Sequence, residues 1–137
     1  AIGLRPEMQV NGTDYPTTDG TNIRDYVHVD DLASAHVLAL DHLAAGGNSL
    51  IANCGYGHGY SVRQVLDTVE RVTGRTLNLR HGPRRAGDPP VLVADNRRIR
   101  ELLGWTPQHD DLERIVGSAW RFEQALDRRR GGLAKSA

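Results

Sequence analysis

The chain has 137 residues and a mass of 15.1 kDa, room for one domain with a single core. It is too short for a dinucleotide-binding domain joined to a full substrate domain. The 17 basic and 17 acidic side chains cancel, which weighs against a general nucleic-acid or acidic-membrane surface. Sixteen of those cations are Arg and the one Lys is Lys135, so a P-loop or a Schiff base has no candidate before the tail.

Residues 8–11 (M-Q-V-N) predict a short strand, followed by a Pro- and Gly-punctuated loop over 12–20. The alternating R-D-Y-V-H-V at 24–29 predicts a second strand. Asp30 or Asp31 then caps a helix to about Leu43, with Leu32, Ala35, Ala39 and Leu43 on one face and Gly46-Gly47 ending it. S-L-I-A-N at 49–53 has the character of a buried strand opening into C-G-Y-G-H-G-Y. Ser61 and Gln64 form a capping-box pattern before a helix carrying Val62, Val65, Leu66, Val69 and Val72, stopped by Gly74.

A strand at 76–80 leads to the loop H-G-P-R-R-A-G-D-P-P, and a shorter strand at 91–94 follows. Asp95 caps a brief helix with Ile99, Leu102 and Leu103, closed by Gly104. The Asp110 to Glu113 spacing repeats the capping pattern before a last helix with Leu112, Ile115, Val116, Ala119, Trp120 and Leu126 inward. From residue 127 the chain has no apolar period and is expected to be a disordered tail. The division is therefore one α/β unit over 1–126 and a tail over 127–137. Trp105, in L-G-W-T-P, is expected to anchor the core at a helix exit.

One cysteine, Cys54, excludes an intrachain disulfide. No apolar run approaches the roughly 20 residues of a membrane span, and a soluble cytoplasmic protein is the expectation. The six histidines carry no metal-ligand spacing, so no metal is expected. No G-x-S-x-G supports a hydrolase triad.

The glycine run fails the dinucleotide fingerprint, because the third required Gly falls on Tyr60 after Gly55 and Gly57. A tight strand-to-helix connection is the simpler reading. The 80–90 loop carries more chemistry: Arg80, His81, Arg84 and Arg85 stand near Asp88. Arg forks suit phosphate oxygens and an Asp accepts from sugar hydroxyls; the alternative is an exposed basic turn with local salt bridges. Arg24 is a second candidate, either half of a diphosphate clamp or an edge-strand Arg paired with Asp25 or Asp19.

Three ordered segments resemble the UDP-glucose 4-epimerases of the extended short-chain dehydrogenase/reductase group. They are N-G-T-D-Y-P-T-T-D-G-T-N-I-R-D-Y-V-H-V-D-D-L-A-S-A-H, N-C-G-Y-G-H-G-Y-S-V, and R-R-A-G-D-P-P-V-L-V-A-D followed by L-G-W-T-P. The resemblance runs from about residue 8 to 126. It implies a small mixed-sheet α/β domain with about four helices, the C-terminal part of the extended fold without its Rossmann half.

The resemblance also implies roles. Arg24 and Arg85 match positions holding the UDP diphosphate, and Asp88 matches the carboxylate on the uridine ribose. Val10, Asn11 and Gly12 match the strand edge passing the uracil, where relatives often carry an aromatic in place of Asn11. Leu92 stands where some carry Tyr. Full-length members work in galactose metabolism with tightly bound NAD and a Tyr–Lys couple. No Tyr-x-x-x-Lys occurs at the four tyrosines of this sequence, so neither the cofactor nor the Tyr–Lys couple is expected within it, and no catalytic residue is assigned.

The expected function is thus binding of a UDP-sugar without independent NAD-dependent epimerisation. The alternative is a stand-alone domain recruited to an NAD-independent reaction, another small molecule or a protein partner. In that case Asp25, Tyr26, His28 and Asp88 are the available acid–base groups. Without a Rossmann half, Leu32, Val37, Leu40, Leu50 and Ile51 are expected to lie exposed. A homodimer or domain-swapped oligomer is the expected remedy.

Overall fold

The computed structural model describes residues 1–134; Lys135 lies outside the described residues. In chain order the first elements are β1 (Met8–Asn11), β2 (Ile23–Arg24), α1 (Val29–Ala44), β3 (Tyr60–Ser61) and α2 (Val62–Thr73). They are followed by β4 (Leu79–Gly82), β5 (Val91–Leu92), α3 (Arg97–Leu103) and α4 (Leu112–Ala134). β1 and β4 form a parallel pair with Val10 opposite His81 and Asn11 opposite Gly82. β2 is the middle strand of a second, mixed sheet, antiparallel to β3 and parallel to β5. The small mixed-sheet α/β class with four helices is the one expected.

Local sequence accounts for most helix ends. Ser61 Oγ accepts from the Gln64 N–H at 3.1 Å while Gln64 Oε1 accepts from the Ser61 N–H at 2.8 Å, the reciprocal capping box that starts α2. Gly74 and Gly104 close α2 and α3 in left-handed conformations, at φ of 66° and 64°. At α4 the cap falls to Asp111 rather than Asp110: its Oδ1 accepts from the Arg114 N–H at 2.7 Å. Asp95 Oδ1 accepts from the Arg97 N–H at 3.1 Å, although Asn96 stands at the cap position of α3.

Four expectations are corrected. Of the strand expected over 24–29 only Arg24 lies in β2, because Asp25 turns its carboxylate onto the backbone N–H of Tyr56 (3.1 Å) and of Ala94 (3.3 Å). Helix α1 then starts at Val29, capped by neither aspartate: His28 Nδ1 accepts the Asp30 N–H at 3.1 Å. Segment 49–53 forms no strand, and Ile51 is 85% exposed. A strand exists only where a neighbour completes its ladder. Finally, residues 127–134 continue α4 instead of forming a disordered tail, as three consecutive arginines, Arg128 to Arg130, are good helix formers. The boundary drawn at 126 falls inside that helix; residues 135–137 of the expected tail lie outside the described residues.

The core gathers Ala35, Tyr56, Ile99 and Trp105, with Leu38, Leu103 and Ile115 packed on it. Trp105 is 1% exposed and lies parallel to Tyr56, ring centroids 6.5 Å apart. At its centre Asp31 accepts from Tyr56 Oη (2.6 Å), the Gln108 N–H (2.8 Å) and the His109 N–H (2.9 Å). Its own carbonyl takes the Trp105 indole N–H at 3.0 Å. Burial pushes the Asp31 carboxyl up, but those three donors outweigh it and hold the group below the usual carboxylate range. The buried face of α1 is therefore Asp31 and Ala35, while Leu32, Val37, Leu40 and Leu43 are exposed. Among the described residues no helix is long and apolar enough to cross a membrane.

Candidate functional site

The predicted binding residues come from four separated segments, and the two small sheets bring them together. Register places Leu92 beside Arg24 across β2 and β5, and Asn11 beside Gly82 across β1 and β4. The turn after β4 then carries Arg84, Arg85 and Asp88 back toward β2, closed by the Asp88 N–H on the Arg85 carbonyl at 3.3 Å.

Arg24 pairs with Asp88, neither Asp25 nor Asp19 being its partner. Both side chains are about one-fifth exposed, at 21% and 22%. The guanidinium also donates to the carbonyls of Ile23 (2.6 Å) and Pro89 (2.9 Å), so it is held by backbone as well as by charge. Asn22 donates to the other Asp88 oxygen at 2.9 Å. Sequence reasoning missed Asn22, yet the signal was available: it stands two residues before Arg24, and extended chain puts such residues on one face.

On the other side of the turn the Asn11 amide oxygen accepts from Arg85 Nη2 (3.0 Å) and Nε (3.1 Å), with the amide turned to face it. Arg85 is exposed and keeps its remaining donors toward solvent. Arg84 is spent differently: it stacks on the Tyr15 ring at 4.6 Å from the centroid and donates to Asp14 Oδ1 at 2.8 Å and to the Asp14 carbonyl. It clasps the 12–20 loop, a role the sequence did not separate from that of Arg85. Arg80 pairs with Glu7 at the surface.

Gly12 is buried between these groups. Its φ of 82° lies in the left-handed region, and a Cβ there would stand 2.5 Å from the Tyr15 ring and 2.8 Å from Arg84 Cγ. Val10 is buried beneath it and Leu92 exposed beside Arg24. The buried Tyr15 hydroxyl has no partner among the described residues, an orphan polar atom bordering the same cluster. The arrangement presents two guanidinium groups, one carboxylate, one amide and a strand edge. That is a donor set for a dianionic group next to a hydroxylated one.

The acid–base candidates are placed for other work. Asp25 is occupied by backbone N–H groups, and burial pushes the Tyr26 phenol up against the opposing charge of Arg24. His28 is buried as the cap of α1. Burial, then the carboxylates of Asp25 and Asp31, raise the Cys54 thiol, which disfavours the thiolate nucleophile.

The glycine run does not cradle a pyrophosphate. A Cβ on Gly55 would meet the Asp25 carboxylate at 2.3 Å, and one on Gly59 would meet Ile23 at 2.7 Å and the Arg24 carbonyl at 2.8 Å. These glycines make room for the chain's own β2 segment, and Ser61 already satisfies the next helix start. The described residues do not fit a bound NAD at this loop.

The NAD dependent epimerase/dehydratase family matches residues 6–55. A UDP-glucose 4-epimerase of Azospirillum brasilense is 57% identical over 126 residues, covering 92% of this chain and 36% of that protein. The chain corresponds to the C-terminal portion of an extended short-chain dehydrogenase/reductase epimerase. It spans less than half the length of the curated relatives it matches. Among solved structures, a UDP-glucose 4-epimerase superposes with a TM-score of 0.86 at 44% identity, covering 90% of this chain and 38% of that one. The Stenotrophomonas maltophila UDP-glucose-4-epimerase, with bound NAD and formylated UDP-arabinopyranose, gives 0.86 at 45% identity, with coverage of 93% and 38%. Within this epimerase portion, Arg24, Arg85 and Asp88 belong to one cluster, and the Asp31 hub holds the helices behind it.

Proposed function

We propose that this epimerase portion binds the nucleotide end of a UDP-sugar and does not epimerise it alone. The observation that supports the reading is the convergence of Arg24–Asp88 and Asn11–Arg85 at one end of two small sheets. Arg24 and Arg85 neutralise the diphosphate, Asp88 accepts from a ribose hydroxyl, and the edge Val10–Gly12 lies along the uracil, with Leu92 beside Arg24. NAD belongs to the part of the relatives that this chain does not span.

Calorimetry on the full chain with UDP-glucose, UDP and NAD tests this. UDP and UDP-glucose are expected to bind and NAD not to, with Arg85→Ala weakening UDP at least tenfold. NAD binding by this chain overturns the division of labour. Absence of any nucleotide binding overturns the site and favours a domain recruited to another ligand.

The same reading assigns a second copy of the chain to the apolar face. Leu40 is 66% exposed, Val37 55% and Ile51 85%, and the 49–53 backbone has no ladder partner. Leu50 is half-buried rather than exposed. Covering each exposed side chain is worth about 1.5–3 kcal/mol, and an unpaired segment invites pairing in a dimer or swapped oligomer. Light scattering that finds only monomer at high protein concentration overturns this.

A further inference from the structure

The fold unites two histidines that the sequence keeps at opposite ends of the chain. His28 caps α1 and is 5% exposed; His109 lies in the connection before α4. Their rings stack with centroids 4.3 Å apart and planes 22° from parallel. Asp30, exposed in the first turn of α1, places Oδ2 3.8 Å from His28 Nδ1. One ligand atom from each of the three residues lies within 4.8 Å of the other two. His109 Nδ1 is buried and has no hydrogen-bond partner among the described residues. We propose that His28, Asp30 and His109 form a site for a divalent transition metal of the zinc type, with water completing the tetrahedron.

The ligand chemistry is that of a borderline cation, two imidazoles and one carboxylate. The framework behind it is rigid, because the His109 N–H is bound to Asp31 (2.9 Å) and its carbonyl takes the Asp111 N–H (2.8 Å). Tetrahedral ligands with metal–nitrogen bonds of about 2.0–2.1 Å stand about 3.4 Å apart, so the three atoms close up by rotation of the exposed Asp30 and the half-exposed His109. Two terms oppose the ion. His28 Nδ1 gives up its 3.1 Å bond to the Asp30 N–H, and the positive end of the α1 dipole lies nearby. The first is a long bond whose donor sits at an exposed helix start, where water replaces the lost acceptor. The second is offset by Asp30 and Asp31 in the same turn and by Asp110 and Asp111 next to His109.

Zinc and cobalt ions, added to the full chain after chelator treatment, serve as probes. Zn2+ is expected to bind with one-to-one stoichiometry and raise the thermal midpoint, and Co2+ to give the visible absorption of a tetrahedral site. Asp30→Asn and His109→Gln each weaken Zn2+ at least tenfold, whereas His58→Gln, which removes a separate surface His–Asp pair, leaves binding unchanged. His28 is not substituted, since its ring is buried and packs against His109. Failure of Zn2+ to bind the wild-type chain, or equal binding by the Asp30 and His109 variants, overturns the site and leaves His109 Nδ1 to a water. These outcomes do not depend on nucleotide binding, so they stand apart from the UDP-sugar reading.

Discussion

Two aspartates of this chain do opposite jobs. Asp31 is 2% exposed, and its carboxylate is saturated by one hydroxyl and two backbone N–H groups. Among the described residues the Asp88 carboxylate is held by two side chains, Asn22 and Arg24, at a partly open turn. A carboxylate whose acceptor sites are filled by backbone cannot release them without opening the fold. One whose partners are two side chains, the buried Asn22 and the partly exposed Arg24, can exchange them for a ligand by side-chain rotation alone. The chain is therefore rigid around Asp31 and adaptable around Asp88, and a static scaffold presents a replaceable set of charges.

Three perturbations break or sharpen that contrast. The largest effect is expected at the rigid side: Trp105→Ala costs about 3–5 kcal/mol, because the indole fills the core and donates to the Asp31 carbonyl. Asp31→Ala follows at about 3 kcal/mol, since it leaves the Gln108 and His109 N–H groups and the Tyr56 hydroxyl without their acceptor. Urea unfolding measures both, and a cost under about 1 kcal/mol in either removes Asp31 from the centre of the fold. At the adaptable side Arg85→Ala shifts unfolding by no more than about 0.5 kcal/mol, even as UDP binding weakens at least tenfold. A large destabilisation there shows that the arginine is structural after all.

The smallest expected effect is a pH dependence that comes from between the two regions. Asp19 accepts from the Thr21 N–H (2.9 Å), the Thr21 hydroxyl (2.6 Å) and the Ser61 hydroxyl. Burial raises its carboxyl, but the bonds from Ser61 and Thr21 prevail and hold it below the usual range. A depressed folded-state value contributes stability above the ordinary Asp range near about 3.9. That contribution is lost as pH falls through the folded-state value. Asp19→Asn is expected to lower stability at neutral pH and to flatten the acid limb of the stability curve. An unchanged acid limb assigns that dependence to other carboxylates.

Legibility in the sequence followed the range of the interactions. The Ser61–Gln64 box and the closing glycines Gly74 and Gly104 act within one helical turn, and each is legible in the local sequence. Trp105 is legible as a core anchor because a large aromatic at a helix exit packs inward, and it is 1% exposed. Arg24 and Asp88 were legible as chemistry but not as a pair, since the register of β2 against β5 joins them. Arg84 and Arg85 were indistinguishable as neighbours in a loop. The fold turns one onto Tyr15 and Asp14 and the other onto Asn11.

What the sequence determined alone was the helix ends, because local capping encodes them, and the class of fold and family portion, which the ordered motifs carry by resemblance together with the residue types of the proposed site. What only the tertiary structure decided was which charges meet, where 49–53 finds no ladder, and that His28 faces His109. Those outcomes depend on long-range pairing, and no local pattern carries that information. The length of 137 residues gives room for one domain with a single core. The exposed face of α1 shows one whose core is closed on the Asp31 side and open on the other.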